Sequence, residues 1–217
     1  GLELLEKTDH PRKAGKIGTC LINMGSLYFS MGQNDKALEY NLKAIPYHVA
    51  SGDDEMACYN YVFVASTFTQ MNKYDSAQKY FVIALPLIKK LNKPAINIEY
   101  YGKTGLLHAA LKEWRQAVDD YNKAYSNAVT VNDAYNQCFY LRLTAEAYYG
   151  EGSYNKAAEA ALKSLAIIQS NKFEAEALRL YYPMSQIYAA KKEFANAYKY
   201  LQLWSDLVRA KNQADVK

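Results

Sequence analysis

The sequence has 217 residues, half of them hydrophobic and 22% charged, a balance that excludes a disordered chain and supplies ample material for a buried core. Its formal charge of +4 comes from lysines and arginines spread along the whole length and mixed with Asp and Glu, the pattern of solvated helix faces and not the basic stripe of a nucleic-acid domain. Cys20, Cys58 and Cys138 are odd in number and lack CxxC spacing, which argues against a disulfide framework or a zinc site and for buried free thiols.

The chain opens on Leu2-Glu3-Leu4-Leu5-Glu6, which reads as mid-helix, so residues 1–11 are expected to be the tail helix of a preceding, truncated unit. No apolar run reaches the ~18 residues that cross a membrane. No signal peptide is visible, and for a fragment this leaves the compartment open, cytoplasmic or periplasmic.

Five units are expected after that, over 12–53, 54–93, 94–133, 134–173 and 174–217, each a pair of helices. In the first, Gly25 and Tyr28 sit on the first helix, Gly32-Gln33-Asn34-Asp35 makes the turn, and Ala37 opens the second, which closes at Gly52. The second unit repeats this with Ala65, Phe68, Tyr74 and Ala77, closing at Asn92. The third starts at Pro94 and carries Gly105, His108, Trp114 and Ala117, closing at Asn132. The fourth carries Ala145, Tyr148, the turn Gly150-Glu151-Gly152-Ser153, Tyr154 and Ala157. The fifth carries Ser185, Tyr188, Phe194 and Ala197, with Asn212 as its closing residue.

Each column therefore repeats at 40 residues. Two helices of a hairpin cross closely only where Gly, Ala or Ser lets the backbones approach, and aromatics fill the holes beside the contact. Gly and Asn at the unit ends tolerate the left-handed conformation that closes a helix. Pro46 and Pro86 fall inside second helices and Pro183 inside a first helix, where each is expected to remove a backbone hydrogen bond and kink the helix. His108 sits in an otherwise aromatic column and is expected to pack as a filler, whereas His10 and His48 are expected at the surface.

The stretch from Asn23 to Tyr40, NMGSLYFSMGQNDKALEY, resembles a tetratricopeptide repeat, and the small–aromatic–alanine frame extends that resemblance from about Arg12 to Lys211. The usual unit has 34 residues. Six more add about 9 Å of helix, shared between the two helices. The resemblance implies an all-α, right-handed superhelix of five hairpins, with elongated units similar to those of bacterial sensory and regulatory proteins. It also implies that the first helix of each hairpin lines a concave face. The residues implied on that face are Ile22, Ser26 and Phe29; Tyr59, Val62, Ser66 and Thr69; Glu99, Gly102, Leu106 and Ala109; Phe139, Arg142, Glu146 and Tyr149; and Arg179, Tyr182, Gln186 and Ala189. The carboxylate clamp of chaperone-binding members is absent, since its places hold Ile22, Ser26, Val62 and Ser66.

Aromatics and arginines carry most binding energy at interfaces. A bound segment is therefore expected against the third to fifth units, with Tyr59, Glu99, Leu106, Phe139, Arg142, Glu146, Tyr149, Arg179, Tyr182 and Gln186 as the candidate contact residues. The competing reading is that Arg142 and Glu146, four apart on one helix, simply pair with each other. No phosphate loop, HExxH or GxSxG occurs, and no catalytic residue, cofactor or metal is expected. The function expected is recognition of a peptide or protein segment, as the sensory or regulatory part of a larger signalling or transcription-regulating protein. The alternatives are an assembly scaffold without a peptide ligand and, less favoured, a helical-repeat RNA binder, which Leu106, Ala109 and Ala110 argue against. Tyr198, Leu201, Leu203, Trp204, Leu207 and Val208 in the last helix need a cover, so the protein is expected to continue or to self-associate there.

Overall fold

A computed structural model describes residues 13–214; the tail helix expected over 1–11 and His10 lie outside the described residues. Ten helices follow one another: α1 (Lys13–Ser30), α2 (Asn34–Ser51), α3 (Asp54–Gln70), α4 (Tyr74–Leu91), α5 (Pro94–Ala110), α6 (Trp114–Thr130), α7 (Ala134–Glu151), α8 (Tyr154–Asn171), α9 (Glu174–Ala190) and α10 (Phe194–Ala214). Among the described residues there is no strand. The helices fall into two compact units, one ending at Leu111 and the other beginning at Lys112.

A left-handed residue stands every twenty positions: Gly32, Gly52, Asn72, Asn92, Lys112, Asn132, Gly152, Lys172 and Lys192. At most of these the backbone closes as a Schellman motif. The amide of the next residue reaches back five positions, as in Asp53 N–H to His48 C=O (3.2 Å) and Asp133 N–H to Ala128 C=O (2.9 Å). Asp53 and Asp133 then cap the following helices by accepting the amides of Met56 and Asn136, and Pro94 occupies the first turn of α5. Asn212 departs from the expected rhythm: it lies within α10, which runs on to Ala214, and closes nothing.

In the first unit α1 crosses α2 where glycines remove the side chain. A Cβ on Gly25 would stand 2.1 Å from Asn41 Nδ2, and one on Gly18 would stand 2.6 Å from His48 Nε2. This corrects the expectation for His48. Its side chain is fully buried, because its position on α2 turns it onto the Gly18 backbone and not to solvent. Burial holds the imidazole pKa below its ordinary value. The buried Asn41 and Asn60 link α2 to α3, with Asn60 Nδ2 donating to the Asn41 carbonyl at 3.0 Å. Forty positions further along, Phe81 and Tyr100 meet edge to face at 5.9 Å and link α4 to α5. Ala37, Ala65 and Ala77 are wholly buried, as the small columns require.

The second unit repeats the design. Ala117, Ala145 and Ala157 are wholly buried, and Tyr121 stacks near Tyr140 at 6.3 Å. Gly150 and Glu151 are the end of α7 and not part of the turn. Gly150 is needed because a Cβ there would come 2.8 Å from the Trp114 ring of α6. Ser164 of α8 donates to the Cys138 carbonyl at 2.8 Å. Cys58 and Cys138 are buried as expected, whereas Cys20 is only half-buried. Pro46, Pro86 and Pro183 lie inside α2, α4 and α9, each of which continues past its proline.

Candidate functional site

In the first unit α3 packs against α5 and touches α1. On α3, Met56, Tyr59, Val62 and Phe63 share one side, as spacings of three and four require. With Ile22 of α1 and Glu99 and Lys103 of α5 they line a cavity of about 330 Å³. Phe63 is braced by Phe29, ring centroids 4.9 Å apart. Most of the lining is apolar. The polar residues of the lining are Tyr59, Glu99 and Lys103. Burial raises the Tyr59 pKa, and the charges of Glu55 and Glu99 add to the effect. Two exposed ion pairs at the end of this face, Lys90 with Asp54 and Lys93 with Glu55, tie α3 to α4 and to the entry of α5.

In the second unit the facing helices are α7 and α9. Here the space is filled by charge. Arg142 is only 9% exposed and Glu176 only 1%. Arg142 Nη1 donates to Glu146 Oε1 at 2.7 Å, and its Nε stands 3.7 Å from Glu176 Oε2. The other Glu176 oxygen accepts from Arg179 Nη1 at 2.5 Å and from the Tyr135 hydroxyl at 3.2 Å. The Arg142 guanidinium lies over the Phe139 ring at 5.1 Å, and Phe139 in turn stacks on Tyr135. Two cations balance two carboxylates. The Glu176 charge raises the Arg179 pKa. Such a cluster joins α7 to α9, since removing either partner of a buried pair strands the other charge.

The expected contact residues therefore divide. Tyr59 and Glu99 meet at the cavity, while Leu106 is exposed at the far end of α5. Phe139, Arg142, Glu146 and Arg179 meet in the ionic cluster. The expected pairing of Arg142 with Glu146 is present, with Glu176 as a second partner, so Arg142 does not stand open as a cation. Tyr149 and Tyr182 are exposed but lean on other rings, Tyr149 on Tyr154 at 5.6 Å and Tyr182 on Trp204 at 5.2 Å. Gln186 is exposed on α9.

No protein-family model matches the chain, and no curated protein sequence does. Solved structures match along nearly its whole length. A signal-transduction ATPase with numerous domains and a tetratricopeptide-repeat sensor, from Pyrococcus horikoshii, superposes with a TM-score of 0.83 at 17% identity, over 98% of this chain. This chain spans only 32% of that protein. BtubC from P. vanneervenii matches with a TM-score of 0.86 at 15% identity, over 97% of this chain and 88% of the other. A Rap protein complexed with competence and sporulation factor matches with a TM-score of 0.67 at 14% identity, over 97% of this chain and 68% of the other. The chain has the tetratricopeptide-repeat fold.

The tetratricopeptide frame also shows what the sequence reading missed. Met56 and Glu176 occupy one column, nine residues before the small anchor, and Phe63 and Lys103 another, two before it. The columns expected to face inward began one turn later and alternated differently, so Met56, Phe63, Lys103, Tyr135 and Glu176 fell outside them. Their 40-residue spacing was the available signal. Among the described residues no helix is long and apolar enough to cross a membrane, and no group of three or more His, Cys, Asp or Glu is placed to hold a metal ion.

Proposed function

We propose that this chain is a peptide- or protein-binding segment of a larger sensory or regulatory protein, and that it acts by holding a partner segment against its first helices. The observation that carries this reading is the cavity between α1, α3 and α5, an apolar hollow of about 330 Å³ at the small end of the range for ligand pockets. The repeat fold is shared with a protein that carries a tetratricopeptide-repeat sensor and with one complexed with competence and sporulation factor, which supports the same reading. On α7 and α9, Tyr135, Arg179, Tyr182 and Gln186 are the exposed groups that extend the contact surface. The test is selection of an unbiased peptide library on the immobilised chain. Enrichment of a motif whose binding weakens on Tyr59→Ala supports the reading. A library that yields no binder overturns it.

A second reading, self-association as an assembly scaffold, is favoured by one observation. On α10 Phe194 is 69% exposed and Tyr198 66%, with Leu201 beside them. Sedimentation at rising concentration separates the two: Phe194→Glu/Tyr198→Glu should abolish any dimer, and a monomer at all concentrations rejects the scaffold reading.

A further inference from the structure

The cavity of the first unit has a rim with a particular charge arrangement. Glu99 and Lys103 lie four apart on α5, acid before base, the order in which exposed helix pairs close on each other. Elsewhere they do so: Lys43 Nζ stands 2.6 Å from Glu39, and Lys163 Nζ stands 2.7 Å from Glu159, at the same spacing and in the same order. Glu99 and Lys103 make no such pair, with each other or with any described residue. Both instead line the cavity. One acid and one base without an ion-pair partner among the described residues therefore stand beside whatever enters.

The apolar part of the lining is Ile22, Met56, Val62 and Phe63. Water there finds few partners, and an apolar group that displaces poorly bonded water gains affinity. At about 330 Å³ the cavity has room for a large side chain and not for a folded domain's edge. Met56, unbranched and with three rotatable bonds, is flexible enough to close on a ring or an isobutyl group.

Building on the peptide-binding reading above, we infer that this cavity is an anchor pocket for one large apolar side chain of a peptide whose flanking residues carry opposite charges. Glu99 receives the basic neighbour and Lys103 the acidic one. A peptide with two like-charged flanks leaves one rim charge opposed, and a neutral one leaves both unsatisfied.

The experiment uses the whole chain and blocked heptapeptides with a central phenylalanine flanked by Lys and Glu, by two Lys, or by two Glu, read by fluorescence anisotropy. The mixed-charge peptide should bind tightest. Replacing its phenylalanine with alanine should weaken binding about ten- to hundredfold. Met56→Trp, which fills the cavity, should have the same effect while leaving the circular dichroism and thermal midpoint unchanged. Glu99→Lys should shift the preference to the peptide with two Glu, and Lys103→Glu to the peptide with two Lys. These two variants change partly exposed side chains and test the charges even if Met56→Trp does not fold. Three results overturn the inference: equal binding by all three peptides, a mixed-charge peptide unaffected by Glu99→Lys, or free phenylalanine binding as well as the peptide. The broader reading fails separately. If none of these peptides binds but the unbiased library yields binders insensitive to Met56→Trp, the pocket is wrong and peptide binding stands. If neither yields a binder, both fall.

Discussion

One frame position is filled in opposite ways in the two units. Three residues before the small anchor, α3 and α5 carry Val62 and Gly102, whereas α7 and α9 carry Arg142 and Tyr182. The first pair leaves room, and a cavity lined by Met56, Tyr59 and Phe63 results. The second pair fills the room, and Glu176 is then required to hold the guanidinium that arrives there. A repeat fixes where side chains stand and leaves what stands there free. One unit thus spends the position on a hollow and the other on an internal clasp.

The strongest way to break that comparison is to strike each unit at its charged residue. Glu176→Ala should destabilise the second unit by about 3 kcal/mol, because it strands part of the buried Arg142 charge. Glu99→Ala should change the first unit by no more than about 0.5 kcal/mol, since it breaks no pair. Hydrogen exchange resolved by peptide separates the two, and equal losses would mean that the clasp contributes nothing.

Acid should do the reverse. Burial keeps the His48 imidazole pKa below its ordinary 6.5, so the unfolded chain binds the proton more readily than the folded one. The contribution of His48 to stability is therefore complete above pH 6.5 and is lost as pH falls below that value. Protection in α1 and α2 should decline between about pH 6.5 and 5 before that of α7 and α9. His48→Gln should flatten the decline, and an unchanged slope in that variant would remove His48 as its cause.

These two predictions mark how far the sequence could be read. The alanine column and the small anchors were visible because packing admits only a few residue types there, and Gly52, Asn92 and Asn132 announced their turns. His48 was not legible. A polar residue near a hairpin end reads as surface unless one sees that Gly18 has vacated the space opposite. Glu176 was not legible either, because it stands 34 residues from Arg142 and only the packing of α9 on α7 brings them together. The turns at Lys112, Lys172 and Lys192 were hidden for a simpler reason: lysine carries no turn signal, and the rhythm alone imposes φ of 57–62° on them.

Those lysines yield the next smaller effect. All three belong to the second unit, whereas the first unit closes its turns with glycine and asparagine. Lys172→Gly and Lys192→Gly should each stabilise by about 0.5–1 kcal/mol, raising the thermal midpoint by a few degrees. Asn72→Gly should give less, because asparagine already tolerates the conformation. The smallest contrast is chemical. Burial pushes the Cys58 and Cys138 thiols up to about 11 in both units. At pH 8 a thiol reagent should therefore modify only the half-buried Cys20 in the folded chain, and a second modified site would place one of the other cysteines outside its core.

The left-handed residue at every twentieth position sets the length changes this chain can accept. Excising forty residues between two equivalent turns, such as Asn92 and Asn132, removes one helix pair and joins like to like. Losing a single residue inside a helix rotates every later side chain by about 100° about its axis, carrying the alanine column off the contact and the charged face onto it. Copy number can thus drift by duplication or loss of whole pairs, while the spacing between turns is protected from even the smallest deletion.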